Sequence, residues 1–370
     1  MGKRLGIVAF VMATVLLSSC TNKTENAVLE LPAEPVVEKR VSFYGAGDNL
    51  IHNCVYWQAD KNLPGSDYDF LPMYEMVAEE IQTADIAYLN QETILGGTQL
   101  GVSSYPLFNS PQEVGRDMIA LGFDVFSHAT NHAYDKGEAG LRNTYQFYQN
   151  QDVLMVGIYD RQEERIKILE KNDIKIAFLN YTYSTNGLSI SQNSHYYVPI
   201  ADEELMIADI KQASEMADFV ICCLHWGEEN QSTPNPLQKE HAKLLSDAGC
   251  DVIVGTHSHC IQPVEFIGET LVAYSLGNFI SAQNSPKNMV GGTIKFDLVV
   301  KGEEKTIENV KYLPVINQYE AGYSNIRIIP FSDYTPELAK RHGAGVSYEY
   351  FKNLIAKNES LSQYERKETK

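Results

Sequence analysis

The sequence predicts a layered α/β fold with much parallel β-sheet. Short apolar runs of strand character alternate with amphipathic helical segments from Val41 to about Cys260. Such alternation is typical of parallel strands joined by helical crossovers. A strand-rich stretch after Cys260 suggests a second sheet that packs on the first. The 370 residues suffice for one large domain with additions or for two small domains.

The predicted strands are apolar runs of strand length that end at glycine or polar residues. In chain order they cover 41–48, 85–90, 123–127, 153–156, 174–179, 219–224, 252–254, 271–275, 293–300 and 306–316. The last two are expected to pair antiparallel. The run 252–254 is expected to break at Gly255. If extended geometry continues past that glycine, His257 and His259 face the same side, because strand side chains alternate.

The predicted helices follow the periodic spacing of apolar residues. They cover 72–83, the segment after Ser110, the segment through Leu141 and Tyr148, 201–217, 236–248 and 348–356. In the second of these, Ser110 is expected to be the N-cap and Pro111 the first helical residue. Glu113 would complete a capping box, and Gly122 would end the helix.

The N-terminal segment has the features of an export signal. Lys3 and Arg4 precede an apolar run over 5–17 that is too short to span a bilayer. The run ends at Leu17-Ser-Ser-Cys20, which resembles the bacterial lipobox, and that resemblance implies cleavage before Cys20 and lipidation of its thiol. The alternative is an ordinary signal peptide that happens to end in cysteine. We expect a membrane-anchored lipoprotein outside the cytoplasm.

Composition and charge narrow the classes of partner. The chain is 44% hydrophobic and 21% charged, which is typical of globular proteins, and its formal net charge is −18. So acidic a surface repels phosphate backbones, which argues against nucleic acid as a partner and against electrostatic attachment to anionic lipid. Of the cysteines other than Cys20, Cys222 and Cys223 are expected to be buried thiols, whereas Cys250 and Cys260 could pair or be free.

Metal-binding residue types follow five of the predicted strands. They are Asp48, Glu92, the pair Asn131-His132, His225, and the pair His257/His259. Ligands of open α/β sheets bind outside the carboxyl ends of the strands, so these side chains are expected to converge on one pocket. Oxygen and nitrogen donors of this kind bind Zn²⁺, Mn²⁺ or Fe, and a bridging carboxylate would allow two ions.

Each residue alone has a simpler structural interpretation. Asp48 could cap a turn, and Glu92 could be a solvated loop carboxylate. Asn131 could adopt a left-handed turn conformation, and Asp135 could cap the next helix. His225 beside Trp226 could be a packed core histidine. The joint placement after strand ends favours the metal site.

Six motifs together resemble the CapA family, the bacterial capsule-synthesis family associated with poly-γ-glutamate. They are Gly47-Asp-Asn-Leu-Ile-His52, Asn90-Gln-Glu92, Ala129-Thr-Asn-His-Ala-Tyr-Asp135-Lys-Gly, His225-Trp-Gly-Glu, Gly255-Thr-His-Ser-His-Cys-Ile-Gln-Pro-Val-Glu265 and Tyr274-Ser-Leu-Gly-Asn-Phe279. They occur in the family's order over about 41–330. The family is similar to calcineurin-like metallophosphoesterases, which implies a four-layer αββα sandwich around a metal centre.

The resemblance also implies roles for the site residues. Asp48, Glu92, Asn131, His225, His257 and His259 match metal-binding positions. His132 matches the histidine that lies close to the substrate, which suggests a general acid or an electrostatic stabiliser, with Asn131 beside it. One position departs from the pattern: the phosphoesterases open with Asp-x-His, whereas here the nearest histidine after Asp48 is His52. This departure puts the occupancy of two metal positions in question.

Two functions are open at this point. The first is a metal-dependent hydrolase of phosphoester or amide bonds in an anionic envelope polymer or its precursor. The second is a non-catalytic, membrane-anchored component that binds or exports the polymer with membrane subunits of a capsule-synthesis complex. The expected organisation is a signal peptide over 1–19, the lipidated Cys20 with a flexible linker over 20–40, the main domain over 41–330 and a helical extension with a tail over 331–370.

Overall fold

Sixteen β-strands and eight α-helices make up the described part of the chain, which in this computed structural model comprises residues 37–63, 65 and 67–357. The strands are β1 (Glu38–Asn49), β2 (Ile86–Asn90), β3 (Val125–Ser127), β4 (Leu154–Val156), β5 (Tyr159–Asp160), β6 (Lys167–Lys171), β7 (Ile174–Thr182), β8 (Tyr196–Tyr197), β9 (Phe219–His225), β10 (Val252–Thr256), β11 (Val264–Ile267), β12 (Thr270–Ala273), β13 (Asn278–Ile280), β14 (Val290–Lys301), β15 (Glu304–Glu320) and β16 (Ser324–Pro330). The helices are α1 (Asn53–Asn62), α2 (Ala78–Gln82), α3 (Glu113–Leu121), α4 (Gly137–Gln149), α5 (Glu203–Met216), α6 (Pro236–Asp247), α7 (Pro336–Arg341) and α8 (Tyr348–Ala356).

The strands form two large mixed sheets. Sheet 1 has the order β16-β15-β14-β1-β2-β3-β4, and β13 pairs with the end of β1. Sheet 2 has the order β11-β12-β10-β9-β7-β6, and β5 pairs with β8 separately. The run β1 to β4 is parallel in sheet 1, and β12, β10, β9 and β7 are parallel in sheet 2. The predicted parallel architecture is therefore present in both sheets.

Side-chain alternation along the strands separates the core into layers. Phe43 of β1 and Ile221 of β9 lie in the apolar core between the two sheets. Their neighbour Tyr44 lies in the core that sheet 1 shares with α1, α3, α4 and α8, whereas Val220 lies in the core that sheet 2 shares with α5 and α6. Because successive strand residues face opposite sides, each sheet buries both faces. The order is helices, sheet, sheet, helices, which confirms the predicted four-layer αββα sandwich.

The later strands differ from the prediction in their position. They divide between the sheets: β11 and β12 belong to sheet 2, whereas β14 pairs antiparallel with β1 from Glu38↔Lys301 to Ala46↔Thr293, and β15 and β16 continue sheet 1. The strand β1 begins at Glu38, so part of the predicted linker belongs to this sheet. Arg40 links the first residues of β1 to β14, with its guanidinium 2.8 Å from the carboxylate of Asp297. The predicted antiparallel pairing of the two late strands is confirmed.

Two helix predictions were wrong in detail. The segment 72–83 forms two 3₁₀ turns and only then the short α2. The reason is Tyr74, which leaves helical geometry at φ −111° and whose hydroxyl donates a hydrogen bond to Oδ1 of the buried Asn49 at 2.6 Å. The capping box at Ser110 is absent, and Gln112 is the N-cap of α3. The Ser110 hydroxyl lies 2.7 Å from that of Thr93 instead, so it is committed to the neighbouring loop.

Some predictions fall on residues outside the described part. The signal peptide, the lipobox with Cys20 and most of the linker lie in 1–36, and the tail lies in 358–370. No helix among the described residues has both the length and the apolar character needed to cross a membrane. Cys54, Cys222, Cys223, Cys250 and Cys260 carry free thiols, as predicted for the adjacent pair. The predicted terminal helix is α8, which packs on the outer core of sheet 1 through Phe351 and Ile355.

Candidate metal centre

Asp48 lies at the carboxyl end of β1, held by strands on both sides. The register shifts between Ala46 and Asp48, and β13 approaches so closely that a Cβ on Gly47 would lie 2.0 Å from the carbonyl oxygen of Gly277. The glycine is therefore required for Asp48 to sit between β2 and β13. The carboxylate of Asp48 accepts a hydrogen bond from Asn90 Nδ2 at 2.8 Å and contacts the backbone N–H of His257 at 3.3 Å.

Glu92 follows β2 and is 1% exposed. Neither carboxylate oxygen has a hydrogen-bond partner among the described residues. Its nearest basic atoms are His259 Nε2 at 3.7 Å and His225 Nε2 at 3.8 Å. Burial raises the pKa of this carboxyl well above its ordinary value, and His259 opposes the shift. A buried, unpaired carboxylate is unfavourable, so its presence requires a compensating positive charge.

His225 is the last residue of β9 and is anchored by both ring nitrogens. Nδ1 lies 2.9 Å from the hydroxyl of Thr256, and Nε2 lies 2.9 Å from Asn131 Oδ1. The ring also lies 3.9 Å from Asp48 Oδ1. Burial lowers the pKa of His225 well below its ordinary value, with His257 adding to the shift. The imidazole is therefore neutral at pH 7, as a metal ligand must be.

The two histidines after β10 reach the site in an unexpected way. The strand does not break at Gly255 but continues to Thr256, and a Cβ on Gly255 would lie 2.0 Å from the carbonyl oxygen of Tyr274. Extended geometry then ends, because His257 and His259 have φ values of 89° and 55°. Left-handed backbone at two consecutive histidine positions of the motif is strained, and such strain concentrates at functional sites.

These two histidines lie in different electrostatic environments. His257 Nδ1 is 3.2 Å from His225 Nε2, and its own Nε2 is buried without a partner among the described residues. Burial lowers the pKa of His257 to about 3. His259 Nδ1 lies 3.0 Å from Asn278 Oδ1 and 3.3 Å from Asp48 Oδ2. Burial alone would lower its pKa, but the carboxylates of Glu92 and Asp48 outweigh burial and raise the pKa to about 9.

Asn131 and His132 lie on the segment after β3. Asn131 joins the cluster through His225, whereas His132 pairs with Asp135, whose Oδ2 lies 2.7 Å from His132 Nδ1. Asp135 also accepts the backbone N–H of Phe108 at 2.6 Å and does not cap α4, whose N-cap is Lys136. The simpler interpretation of Asp135 as a helix cap is therefore wrong.

His52 stays outside this cluster. The position that would carry the histidine of the Asp-x-His pattern is the buried Leu50. The ring of Phe108 contacts both His52 and His132, at centroid distances of 5.2 Å and 4.7 Å, and so lies between them. His52 Nδ1 accepts the backbone N–H of Ala282 at 3.3 Å. His52 therefore has a structural role in holding the segment that contains Ala282.

Sequence reasoning missed the residues that hold the cluster in place. Asn90, Thr256, Asn278 and Asp135 each hydrogen-bond one predicted site residue. All four stand in the quoted motifs, so their positions were visible although their contacts were not. Such partners orient metal-binding side chains and fix their tautomers.

The donor set satisfies what a divalent cation requires. Asp48, Glu92 and His259 offer ligand atoms that all lie within 4.8 Å of one another. The orphaned oxygens of Glu92 and the orphaned Nε2 of His257 are buried atoms that need a partner. Carboxylate oxygens and imidazole nitrogens suit Zn, Mn or Fe, and His259, whose pKa is raised to about 9, would release its proton on binding the cation.

Comparison with known proteins identifies the family. The family model "Bacterial capsule synthesis protein PGA_cap" matches residues 42–283. The chain belongs to the PGA_cap family. The PGA biosynthesis protein CapA of Bacillus subtilis (strain 168) is 34% identical over 186 residues, which are 49% of this chain and 49% of that protein. The capsule biosynthesis protein CapA of Bacillus anthracis is 27% identical over 196 residues, which are 51% and 48%. The chain thus spans about half the length of the curated relatives it matches.

A solved structure supports the fold of this PGA_cap chain. A phosphatase of Mycoplasma pneumoniae aligns with a TM-score of 0.50 over 76% of this chain and 95% of that chain, at 10% identity. At that identity the likeness shows the fold alone. The comparison therefore supports the predicted sandwich fold. The roles of the individual site residues stay predictions.

Proposed function

We propose that this PGA_cap chain is a divalent-metal-dependent hydrolase that acts on an anionic cell-envelope polymer, or its precursor, in capsule biosynthesis. One observation carries the proposal: Glu92 is buried with both carboxylate oxygens unpaired, beside Asp48 and His259, in a cluster that also contains two neutral imidazoles. Burial of a carboxylate that accepts no hydrogen bond costs several kcal/mol, and a bound cation would offset that cost.

The ligands of the cation are proposed from the cluster. Asp48, Glu92, Asn131, His225, His257 and His259 would hold one or two ions of Mn, Fe or Zn. A cation here would activate water at neutral pH and neutralise charge on a phosphoryl or carbonyl oxygen. It would also offset the repulsion between a polyanion and a chain of net charge −18.

His132 is proposed as the proton donor to the leaving group. Its Nδ1 is committed to Asp135 at 2.7 Å, which leaves Nε2 for the substrate. The edge of His132 packs against Phe108 at 4.7 Å, so the ring has little freedom to rotate. Asp135 accepts the Nδ1–H and holds the ring, and the proton given to the leaving group would be the one on Nε2 of the doubly protonated ring. The bond cleaved is a phosphoester or an amide such as the γ-glutamyl link.

Location and partners of the chain are proposed from its sequence and its relatives. The lipobox at Cys20 supports an extracytoplasmic, membrane-anchored lipoprotein, cleaved after residue 19. The names of the two CapA relatives support a poly-γ-glutamate capsule as the setting. Membrane subunits of a capsule-synthesis complex would be its protein partners.

Metal content is the first test. The full-length chain is expected to retain Mn, Fe or Zn near stoichiometrically, and the double variant His257→Ala/His259→Ala is expected to lose it. His195→Ala, which removes an exposed histidine, is the matched control and should keep the metal. Absence of metal from the wild-type chain, with no stabilisation on addition of Mn²⁺, would overturn the hydrolase proposal.

The departure at Leu50 favours the second function, a non-catalytic component that binds or exports polymer. Without that histidine of the phosphoesterase pattern, the binding of the two ions needed for catalysis would be weaker. An ion with a structural role could still bind. The variants Asn131→Ala and His132→Ala separate the two functions. Loss of hydrolysis with retained folding supports the hydrolase, whereas loss of capsule without any turnover in the wild-type protein supports the binding component.

A further inference from the structure

Glu229 lies on the loop that follows β9, beside the metal centre. Asn230, the next residue, donates its backbone N–H to the carbonyl oxygen of Ser258 at 2.7 Å. Its side-chain oxygen accepts a hydrogen bond from Asn288 Nδ2 at 2.6 Å. Since Ser258 stands between His257 and His259, these bonds fix the Glu229 loop against the two histidines. The position of the Glu229 backbone beside the two histidines is therefore built into the fold.

The carboxylate of Glu229 completes a second group of donors. Ligand atoms of Glu229, His257 and His259 all lie within 4.8 Å of one another. Donors on opposite sides of one ion at metal–ligand distances of about 2.2 Å lie up to about 4.4 Å apart, so only small movements are needed. Within the described residues, the buried Nε2 of His257 lacks a hydrogen-bond partner, and Glu229 is exposed. Both groups are available to a cation.

We propose that Glu229, together with His257 and His259, binds a second divalent cation beside the one held by Asp48 and Glu92. This inference rests on the proposed metal-dependent function. It explains how the site tolerates Leu50 in place of the histidine of the Asp-x-His pattern: a carboxylate from the opposite sheet supplies the missing ligand. His259 belongs to both groups of donors, so when it serves the second position the first keeps Asp48 and Glu92, with His225 Nε2 3.8 Å from Glu92.

The two positions differ in their access to solvent. Asp48, Glu92 and His259 are all buried, whereas Glu229 is exposed. The second cation therefore lies at the mouth of the site, where an anionic substrate arrives. An exposed ligand also makes this cation the weaker bound of the two, because its carboxylate must give up hydration and side-chain freedom on binding.

A titration of the full-length chain with Mn²⁺, followed by the electron paramagnetic resonance signal of free Mn²⁺, tests the assignment. The key variant is Glu229→Gln, and Glu228→Gln is the matched control, because it removes the same charge from the adjacent exposed residue. We expect two bound ions in the wild type and in Glu228→Gln. In Glu229→Gln we expect one ion, or a second ion bound at least tenfold more weakly. Circular dichroism of each variant reports that the fold is intact.

The outcomes separate this inference from the proposed function. Equal stoichiometry and affinity in Glu229→Gln and Glu228→Gln would overturn the role of Glu229 and leave a metal-dependent site standing. A single ion in the wild-type chain, unaffected by Glu229→Gln, would do the same. A wild-type chain that binds no Mn²⁺ would remove both. The variant Glu229→His supplies an imidazole, the ligand type that Leu50 replaces. We expect it to bind the second ion more tightly than Glu229→Gln does.

Discussion

At the scale of single residues, the ligands of the proposed metal centre lower the stability of the metal-free fold. Burial raises the pKa of Glu92 well above its ordinary value, which means that ionised Glu92 is disfavoured in the folded state. We expect Glu92→Gln to abolish Mn²⁺ binding while raising the free energy of unfolding in EDTA by about 1–3 kcal/mol, since an amide needs no counter-charge. Urea denaturation at pH 7 in EDTA measures the change.

The matched control is again Glu228→Gln. It removes an exposed charge on the same side of the molecule, so it should leave the unfolding free energy within about 0.5 kcal/mol of the wild type. A Glu92→Gln protein that is less stable than the wild type in EDTA would show that the carboxylate has a structural partner.

His128 gives the fold a dependence on pH. It is 2% exposed, and burial lowers its pKa to about 3, below the ordinary 6.5. When burial lowers the pKa of a histidine in the folded state, the fold keeps its full stability above the ordinary pKa of 6.5. As the pH falls from about 6.5 towards 3, the unfolded state binds the proton more readily, so the free energy of unfolding decreases. We expect His128→Gln to reduce the acid-induced loss of stability between pH 6 and pH 4 by up to about 1.4 kcal/mol per pH unit.

Urea unfolding at pH 4, 5 and 6 in EDTA measures that slope. The absolute stability of His128→Gln is expected to be lower at every pH, because the ring nitrogen of His128 lies 3.1 Å from the hydroxyl of Tyr148 and the substitution disturbs this contact. The slope alone decides the question. A slope equal to that of the wild type would mean that His128 is not the group that takes up the proton.

Residue types after strand ends could be predicted from the sequence, but contacts between distant segments could not. Asp48, Glu92 and His225 were predicted because each follows an apolar run, and a local pattern is enough for that. The bond from Asn90 to Asp48 joins residues on different strands, and only the register of β1 and β2 brings them together. The role of Glu229 depends in the same way on the bond between Asn230 and Ser258.

At the scale of elements, β10 carries the most constrained connection to the site. A Cβ on Gly255 would lie 2.0 Å from Tyr274 O and 2.5 Å from Trp226 Nε1. Backbone atoms on a paired strand cannot move away, so we expect Gly255→Ala to cost more than about 3 kcal/mol of unfolding free energy. It should also weaken Mn²⁺ binding, because Thr256 and His257 follow directly.

Gly268→Ala, in the turn between β11 and β12, is the control. Gly268 has φ 60°, and no atom of the described residues lies within 4 Å of the point that a Cβ would occupy, so only the left-handed backbone penalty of about 1 kcal/mol applies. Thermal unfolding and Mn²⁺ titration of both variants compare the two effects. Equal losses in the two would contradict the close approach at Gly255.

The elements themselves were predictable to the extent that each depends on local pattern. Most strands and helices between Val41 and Cys260 were located by apolar periodicity, whereas α1, β5, β6 and β8 were missed. The assignment of β14 to β16 to a second sheet failed because strand partners are chosen by the whole fold: β14 pairs with β1, more than two hundred positions earlier in the chain. The helix predicted over 72–83 failed because Tyr74 has a buried partner in Asn49, which no spacing within the segment reveals.

At the scale of the whole molecule, the site joins the two sheets. Asp48 and Glu92 follow strands of sheet 1, whereas His225 and His257 follow strands of sheet 2. Between the sheets lies the shared apolar core that contains Phe43 and Ile221. A cation bound by ligands from both sheets therefore adds its binding free energy to the stability of the entire sandwich, and not of one half alone.

The two tryptophans allow this coupling to be measured. Trp57 lies on α1, outside sheet 1, and Trp226 follows β9 in sheet 2 and donates to Tyr274 O at 2.8 Å. Trp226→Phe leaves Trp57 as the reporter, and Trp57→Phe leaves Trp226. With free Mn²⁺ at a hundred times the Kd, we expect both reporters to show a single unfolding transition stabilised by about 2.7 kcal/mol. In the His257→Ala/His259→Ala background neither transition should move. A shift seen by Trp226 alone would mean that the cation belongs to sheet 2, and that Asp48 and Glu92 do not bind it.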